Sequence, residues 1–137
     1  MFDSAEPILY AFPGQGSQYR GMGGDLCHDY ATARRVYEQA SEVLGYDVAG
    51  LSFDDPEEQL NQTRYTQPAL LTHSIACFEV FRDSTDDRLK PAMAAGHSLG
   101  EYSALVAAKA LSFESALRLV QKRGELMGTY GEGEMTA

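Results

Sequence analysis

The chain has 137 residues, of which 44% are hydrophobic and 23% are charged. This length suits one globular domain, and the composition argues against wholesale disorder. With 11 Lys and Arg against 20 Asp and Glu, the formal net charge is −9, so the chain should repel nucleic acids and anionic membranes. The two cysteines, Cys27 and Cys77, are too few for a disulfide-rich scaffold and lack the spacing of metal ligands.

Neither a membrane span nor a signal peptide is expected. No apolar run approaches the roughly 18 residues that cross a bilayer. Residues 1–7 have no basic region followed by an apolar core, as a signal peptide would. We therefore expect a cytoplasmic protein whose thiols remain reduced.

The first predicted elements are a strand, a loop and a helix. Residues 8–12 form a short apolar run ended by Pro13 and Gly14, which is typical of a buried strand. A glycine-rich loop follows over residues 14–24. Periodic apolar residues predict a helix over residues 32–44, with Gly45 as its C-cap.

Two further helices are predicted before a polar turn over residues 83–87. Asp55 followed by Pro56 is an N-cap pattern, which predicts a short helix through Leu60. A longer helix is expected to start at residues 66–68. Its inward-facing residues should be Leu71, Ile75, Phe78 and Phe81.

The last third of the chain combines one strand with two helices. Residues 92–95 are typical of a short buried strand. Helices are predicted over residues 99–109 and 113–127, the second of them capped by Ser112. Strands separated by helices favour an α/β fold with a parallel sheet. Two strands make a small sheet, which indicates that the chain is part of something larger.

Residues 96–100 (GHSLG) match the Gly-x-Ser-x-Gly pattern of a nucleophile elbow. The context supports the match, because a predicted strand precedes the motif and a predicted helix follows it. In such a turn the hydroxyl of Ser98 projects above the sheet, and the N–H of Leu99 points at a developing oxyanion. The alternative is an ordinary strand-to-helix turn with a serine cap.

A serine nucleophile needs a general base, and the sequence offers no convincing one. His97 adjoins Ser98, so in a sharp turn its ring should point away from the hydroxyl. We interpret His97 as a positioning residue. His28 and His73 are better explained as structural or surface histidines.

Arg123 interrupts the apolar face of the last predicted helix. Ala116, Leu119, Val120 and Met127 should form that face. A guanidinium there needs an anionic partner or access to a cleft. Spacing alone leaves two interpretations open: a grip on a substrate carboxylate, or a structural role through an ion pair with Glu101 or snorkelling to solvent.

Two glutamines are candidate site residues. The loop over residues 14–18 (GQGSQ) is neither a P-loop nor a dinucleotide-binding loop, but it leaves a strand end, where parallel sheets place ligand loops. Gln15 is the candidate for a second oxyanion-hole N–H. Gln67 either lines the pocket or serves as a structural neighbour of Pro68.

Four motifs carry a family resemblance: FPGQGSQ at 12–18, TQPAL at 66–70, GHSLGEYSAL at 96–105 and Arg123-Gly124. In this order and spacing they resemble malonyl-CoA:acyl-carrier-protein transacylases, the acyltransferases of fatty-acid biosynthesis, and the related acyltransferase domains of polyketide synthases. Residues 122–127 (KRGELM) also resemble acyltransferases that serve polyketide synthases in trans. The resemblance covers nearly the whole chain.

The resemblance implies an α/β-hydrolase-like subdomain with an inserted ferredoxin-like subdomain. It implies that Ser98 accepts malonyl from coenzyme A and passes it to the phosphopantetheine thiol of an acyl carrier protein, with no bound cofactor and no metal. It assigns the oxyanion hole to the N–H groups of Gln15 and Leu99, and the malonyl carboxylate to Arg123. His97 and Gln67 match positions that line the same pocket.

The chain departs from the family in length. Complete domains are about twice as long, and their catalytic histidine lies far downstream of the serine. We therefore expect an N-terminal portion, with a partial acyltransferase subdomain over residues 1–128. Residues 129–137 would lead into an essentially absent small subdomain. On its own such a portion should be nearly inactive.

Other functions remain open at this point. The chain could be a trans-acting polyketide-synthase acyltransferase, or a non-catalytic half-domain that acts only with its complement. An unpaired sheet edge would then allow chains to associate. An esterase is disfavoured, because Arg123 suits a carboxylate-bearing acyl group better than a neutral ester.

Overall fold

The computed structural model describes residues 7–131 and contains a two-stranded parallel sheet. Strand β1 spans Ile8–Phe12 and strand β2 spans Pro91–Gly96. Leu9 pairs with Met93 and Phe12 with Gly96, so the carboxyl ends of both strands lie at the same edge. Both predicted strands and their parallel arrangement are confirmed, but their expected burial is wrong, since Phe12 is the one buried residue of β1 and no residue of β2 is buried.

Six helices accompany the sheet within the described residues. In chain order they are α1 (Gly24–Asp29), α2 (Ala31–Leu44), α3 (Val48–Phe53), α4 (Thr63–Ser84), α5 (Gly100–Ala107) and α6 (Phe113–Tyr130). Helix α4 packs against both α2 and α6, while α5 packs on the strands. The main core lies where α2, α4 and α6 meet, and it includes Tyr37, Leu71 and Leu117.

The caps predicted for α2 and α6 are confirmed. Gly45 ends α2 in the left-handed conformation, with φ of 79°, which a glycine adopts without strain. The Ser112 side chain accepts a hydrogen bond from the N–H of Ser115 at the start of α6. Helix α5 ends at Ala107, two residues before the predicted end, and α6 continues to Tyr130, three residues beyond it. Residues 132–137 lie outside the described part, so the domain boundary near residue 128 stays a prediction.

The prediction of a short helix between Asp55 and Leu60 is wrong. Asp55 is left-handed, with φ of 43°, and its carboxylate accepts hydrogen bonds from the N–H groups of Gln59 and Leu60. These bonds satisfy the backbone within a series of turns, so no helix is needed there. Instead, α3 forms just before this segment, and Asp47 caps it by accepting from the N–H of Gly50. Neither α1 nor α3 was predicted.

Helix α4 begins at Thr63 rather than at residue 66, and Pro68 lies inside it. A proline in that position removes one helical hydrogen bond, but Pro68 is fully buried and packs in the core. Leu71 and Ile75 face inward as expected. Phe81 does not, since 40% of it is exposed.

The buried face of α6 differs from the predicted one. Leu119 is 50% exposed, whereas Leu117 is fully buried. The helix approaches α4 at Gly124, where a Cβ atom would lie 2.8 Å from the carbonyl oxygen of Thr63. This close approach fixes the rotation of α6, so Leu119 turns outward and Arg123 lies at the edge of the interface.

One face of the sheet is open within the described residues. The paired side chains of Leu9 and Met93 are 53% and 65% exposed. Association through this sheet stays a prediction. Among residues 7–131, no helix combines the length and hydrophobicity that crossing a bilayer requires.

Candidate active site

The predicted elbow is a sharp turn between β2 and α5. Ser98 has a φ of 51°, in the left-handed region that residues with a Cβ atom seldom occupy. Its side chain is exposed, and helix α5 starts two residues later at Gly100. The serine hydroxyl is therefore presented beside the positive end of α5.

Glycines make this turn sterically feasible. A Cβ atom on Gly96 would overlap the carbonyl group of Gly100, and one on Gly100 would overlap the carbonyl oxygen of Phe12. A Cβ atom on Gly14 would meet the carbonyl oxygen of His97. The start of α5 thus lies directly on the end of β1, which brings the glycine-rich loop next to the elbow.

Arg123 reaches the elbow from α6. Its Nη2 donates a hydrogen bond to Oγ of Ser98 at 3.1 Å, and its Nη1 donates to Oε1 of Gln67 at 2.7 Å. The guanidinium also lies 5.9 Å from the centre of the Tyr102 ring. Within residues 7–131 it forms no ion pair, so the alternative pairing with Glu101 is not formed. A cation held here without a counterion favours binding of an anion.

Gln67 links the arginine to the glycine-rich loop. The residue is fully buried in α4, and its Nε2 donates to Oε1 of Gln15 at 3.4 Å and to Sδ of Met127 at 3.3 Å. Because its Oε1 accepts from Arg123, the amide orientation is set from both ends. Gln15, Gln67, Arg123 and Ser98 therefore form one continuous hydrogen-bonded network, although the sequence predicted them from separate motifs.

The two N–H groups expected to form an oxyanion hole are unengaged. Among residues 7–131, neither the N–H of Gln15 nor that of Leu99 has a hydrogen-bond acceptor. Leu99 directly follows the serine at the start of α5, and Gln15 lies in the loop after β1. Their assignment to an oxyanion hole stays a prediction.

None of the described histidines accepts a hydrogen bond from Ser98. The His97 side chain is exposed beside Gly14, while its backbone N–H donates to the carbonyl of Phe12 at 3.0 Å. His28 is exposed and pairs with Asp29. Its exposure and its pairing with Asp29 agree with the surface role expected for it.

His73 lies away from the elbow in a half-buried cluster. Its Nδ1 is 3.4 Å from the hydroxyl of Tyr37 and its Nε2 is 3.7 Å from Sγ of Cys77. Burial lowers the pKa of His73 below its usual 6.5, with a smaller opposing contribution from Asp25. Burial likewise raises the pKa of the Cys77 thiol. The cluster is built to hold a neutral imidazole.

Sequence reasoning missed two residues that contact the site. Tyr102 places its ring beside Arg123, and its position four residues after Ser98, one helical turn along α5, was the available signal. Thr63 accepts a hydrogen bond from Nε2 of Gln15 at 3.2 Å. No local pattern pointed to Thr63, because the contact joins segments 48 residues apart.

Side chains of the described residues do not form a group of three or more His, Cys, Asp or Glu placed to hold a metal ion. What the site offers instead is a serine on a strained turn, a guanidinium and two unengaged N–H groups. Such an arrangement suits acyl transfer through a covalent ester.

Two curated proteins from Bacillus subtilis (strain 168) are similar to nearly the whole chain. One, named malonyl CoA-acyl carrier protein transacylase, is 49% identical over 133 residues, which cover 95% of this chain and 41% of that protein. The other, named polyketide biosynthesis malonyl CoA-acyl carrier protein transacylase PksC, is 45% identical over 130 residues, or 95% of this chain and 43% of that protein.

A solved structure shares the fold. It is described as a type II PKS acyl-carrier protein in complex with its malonyl-transacylase, PlMCAT:AntF, and it superposes with a TM-score of 0.85 at 46% identity. The match covers 90% of this chain and 40% of that one. The chain therefore spans about two-fifths of the length of these three relatives, and its strands, helices and elbow form part of the acyltransferase fold. No ferredoxin-like subdomain is found among residues 7–131.

The family model for the acyl transferase domain matches residues 9–137, which include every residue of the hydrogen-bonded network. On this match, and on the shared fold, the chain belongs to the acyl transferase domain family.

Proposed function

We propose that the protein carrying this chain transfers a malonyl group from coenzyme A to the phosphopantetheine thiol of an acyl carrier protein. The observation that carries the proposal is the contact of Arg123 with Ser98, which places an uncompensated cation beside the nucleophile. The names of the similar proteins agree with this reaction, since each is a malonyl transacylase. The residue roles below are our own assignments.

The first half-reaction forms an ester on Ser98. Its Oγ attacks the thioester carbonyl, the Oγ–C bond forms, and the bond from carbon to the coenzyme A sulfur breaks. The proton leaves Oγ for a general base and passes to the departing sulfur. The N–H groups of Gln15 and Leu99 donate to the oxyanion of the tetrahedral intermediate, and the amino end of α5 adds favourable potential.

Arg123 selects the acyl group. A malonyl carboxylate is anionic and planar, so a guanidinium can hold it through two parallel hydrogen bonds. Gln67 accepts one hydrogen bond from Nη1 of Arg123, so the second N–H of Nη1, together with Nη2 once it leaves the Ser98 hydroxyl, can hold the carboxylate. His97 lines the same pocket from the exposed side of the turn.

The general base comes from outside residues 7–131 in this proposal. The family resemblance implies a histidine downstream of the serine, and no described histidine contacts Ser98. In the second half-reaction the same base takes the proton of the phosphopantetheine thiol, the sulfur attacks the ester carbonyl, and the S–C bond forms. The C–Oγ bond then breaks, and the base returns the proton to Oγ of Ser98.

Two versions of this function differ in the carrier protein that accepts the malonyl group. One similar protein carries a general malonyl transacylase name, whereas PksC is named for polyketide biosynthesis. A trans-acting polyketide acyltransferase would therefore use the same site with a different carrier protein. Transfer rates to carrier proteins of each pathway, measured side by side, separate these alternatives.

Intact mass spectrometry tests the proposal. After incubation with malonyl-CoA, we expect the protein to gain one malonyl group, and the Ser98→Ala variant to gain none. The label should leave when a phosphopantetheinylated carrier protein is added. No gain on the wild-type protein, or an equal gain on Ser98→Ala, would overturn the assignment.

A further inference from the structure

The loop that carries Gln15 has little backbone support of its own. Among the described residues, the only backbone hydrogen bond within 14–18 joins the N–H of Ser17 to the carbonyl of Gly14, at 3.3 Å. Gly16 has a φ of 107°, and a Cβ atom there would meet nothing. A loop of this kind has many accessible conformations, so the direction of the Gln15 N–H must be fixed by other contacts.

Two side-chain hydrogen bonds attach this loop to the segment that begins α4. Nε2 of Gln15 donates to Oγ1 of Thr63 at 3.2 Å. Nε2 of Gln18 donates to Oδ1 of Asn61 at 2.9 Å, while Oε1 of Gln18 accepts from the N–H of Gly16 at 2.8 Å. Residues 14–18 are therefore held at both ends of the turn.

Thr63 also lies where α6, the helix that carries Arg123, contacts α4. Its carbonyl oxygen would be 2.8 Å from a Cβ atom on Gly124, the residue after Arg123. The same residue thus touches the oxyanion loop through its hydroxyl and α6 through its backbone. Since α4 also carries Gln67, the start of this helix sets the spacing between Gln15 and Arg123.

We infer that Thr63 is a positioning residue, which aligns the N–H of Gln15 with the developing oxyanion through the Gln15 side chain. Asn61 assists by holding Gln18. The inference rests on the proposed function, because that function assigns an oxyanion to the N–H of Gln15. It predicts an effect on the transition state that is common to all acyl groups, rather than on selection of the carboxylate.

The test uses Thr63→Val and Thr63→Ser in the whole protein that carries this chain. Valine keeps the branched shape and removes the acceptor, while serine keeps the hydroxyl. Thr72→Val is the matched control, since Thr72 is a buried threonine of the same helix whose hydroxyl bonds to the carbonyl of Pro68. Thermal unfolding of every variant reports whether it is folded.

Two reactions of Ser98 are followed by intact mass: acylation by malonyl-CoA and labelling by a fluorophosphonate. Removing an oxyanion donor outright slows catalysis by about 10²–10³-fold, so its misalignment in Thr63→Val should slow both reactions by roughly tenfold. Thr63→Ser and Thr72→Val should stay within about twofold of wild type. The dissociation constant for malonyl-CoA, measured on the Ser98→Ala background, should not change with Thr63→Val.

Different outcomes of these measurements would contradict the inference about Thr63 and the proposed function on which it rests. Equal rates for Thr63→Val and wild type overturn the inference. So do a tenfold loss in Thr63→Ser, or a loss explained by weaker malonyl-CoA binding. If wild type reacts with the fluorophosphonate but not with malonyl-CoA, the proposed function fails. The fluorophosphonate rates then still decide the role of Thr63, because that probe needs no malonyl group.

Discussion

Nη2 of Arg123 donates to Oγ of Ser98 across 3.1 Å, although the two residues are 25 positions apart and Ser98 lies in the β2–α5 turn while Arg123 lies in α6. The contact requires that the β2–α5 turn and α6 both pack around α4. Gln67, which is buried in α4, holds the other nitrogen of the guanidinium at 2.7 Å. Helix α4 therefore fixes the positions of both the nucleophile and the cation.

Replacing Arg123 with alanine should separate two acyl donors. We expect Arg123→Ala to weaken malonyl transfer by about 2–5 kcal/mol of transition-state stabilisation, because the half-buried charged partner of the carboxylate is removed. Acetyl transfer should be unchanged or faster, since acetyl has no carboxylate. The values of kcat/KM for malonyl-CoA and acetyl-CoA provide the measurement.

Arg118→Ala is the control for this change. Arg118 lies on the same helix but is exposed and pairs with Glu114 at 3.0 Å, so both acyl donors should react as in wild type. Equal losses with malonyl-CoA and acetyl-CoA in Arg123→Ala would show that Arg123 supports the fold rather than the carboxylate.

Adding a methyl group at Gly100 should destabilise the elbow. The Cβ atom would overlap the carbonyl oxygen of Phe12, so β1 and α5 would have to separate. We expect Gly100→Ala to lower the free energy of unfolding by about 1–3 kcal/mol, as overpacking does. Denaturant unfolding of the protein measures this.

The matched control is Gly128→Ala, in the exposed part of α6. A Cβ atom there meets nothing within 4 Å, so alanine should stabilise the helix by about 0.5–1 kcal/mol. If both substitutions shifted stability in the same direction, the close packing of α5 on β1 would not be the cause.

Acid should destabilise the fold through His73. Its pKa is lowered by burial, so the unfolded chain, with a pKa near 6.5, binds the proton more tightly than the folded one. Stability therefore rises with pH through this range and falls as the pH drops below about 6.5, by at most about 1.4 kcal/mol per pH unit. Tyr37 and Cys77 contact the imidazole, and Asp25 opposes the shift only weakly.

His73→Gln should flatten this dependence. Unfolding free energies at about pH 7.5 and about pH 5.5 are compared for wild type, His73→Gln and the exposed control His28→Gln. Wild type and His28→Gln should lose stability on acidification by a similar amount, and His73→Gln by less. An identical loss in all three proteins would assign the acid sensitivity to other groups.

Features that depend on neighbouring residues could be predicted from the sequence. The turn at residues 96–100 needs glycines on both sides of a serine, and the caps at Gly45 and Ser112 act within one helical turn. For the same reason both strands were predictable as short apolar runs bounded by turn residues. Motif order then pointed to the acyltransferase family.

How these local features meet depends on packing between segments that are distant in the chain. Whether Arg123 paired with Glu101 or faced the serine depended on the rotation of α6, which Gly124 fixes by its approach to Thr63. That rotation also exposed Leu119 and buried Leu117, against the periodic pattern. The sequence also did not predict the turns after Asp55 or the contact between Gln15 and Thr63. Each of them rests on side-chain hydrogen bonds or on close packing of separate helices, and hydrophobic periodicity carries no information about either.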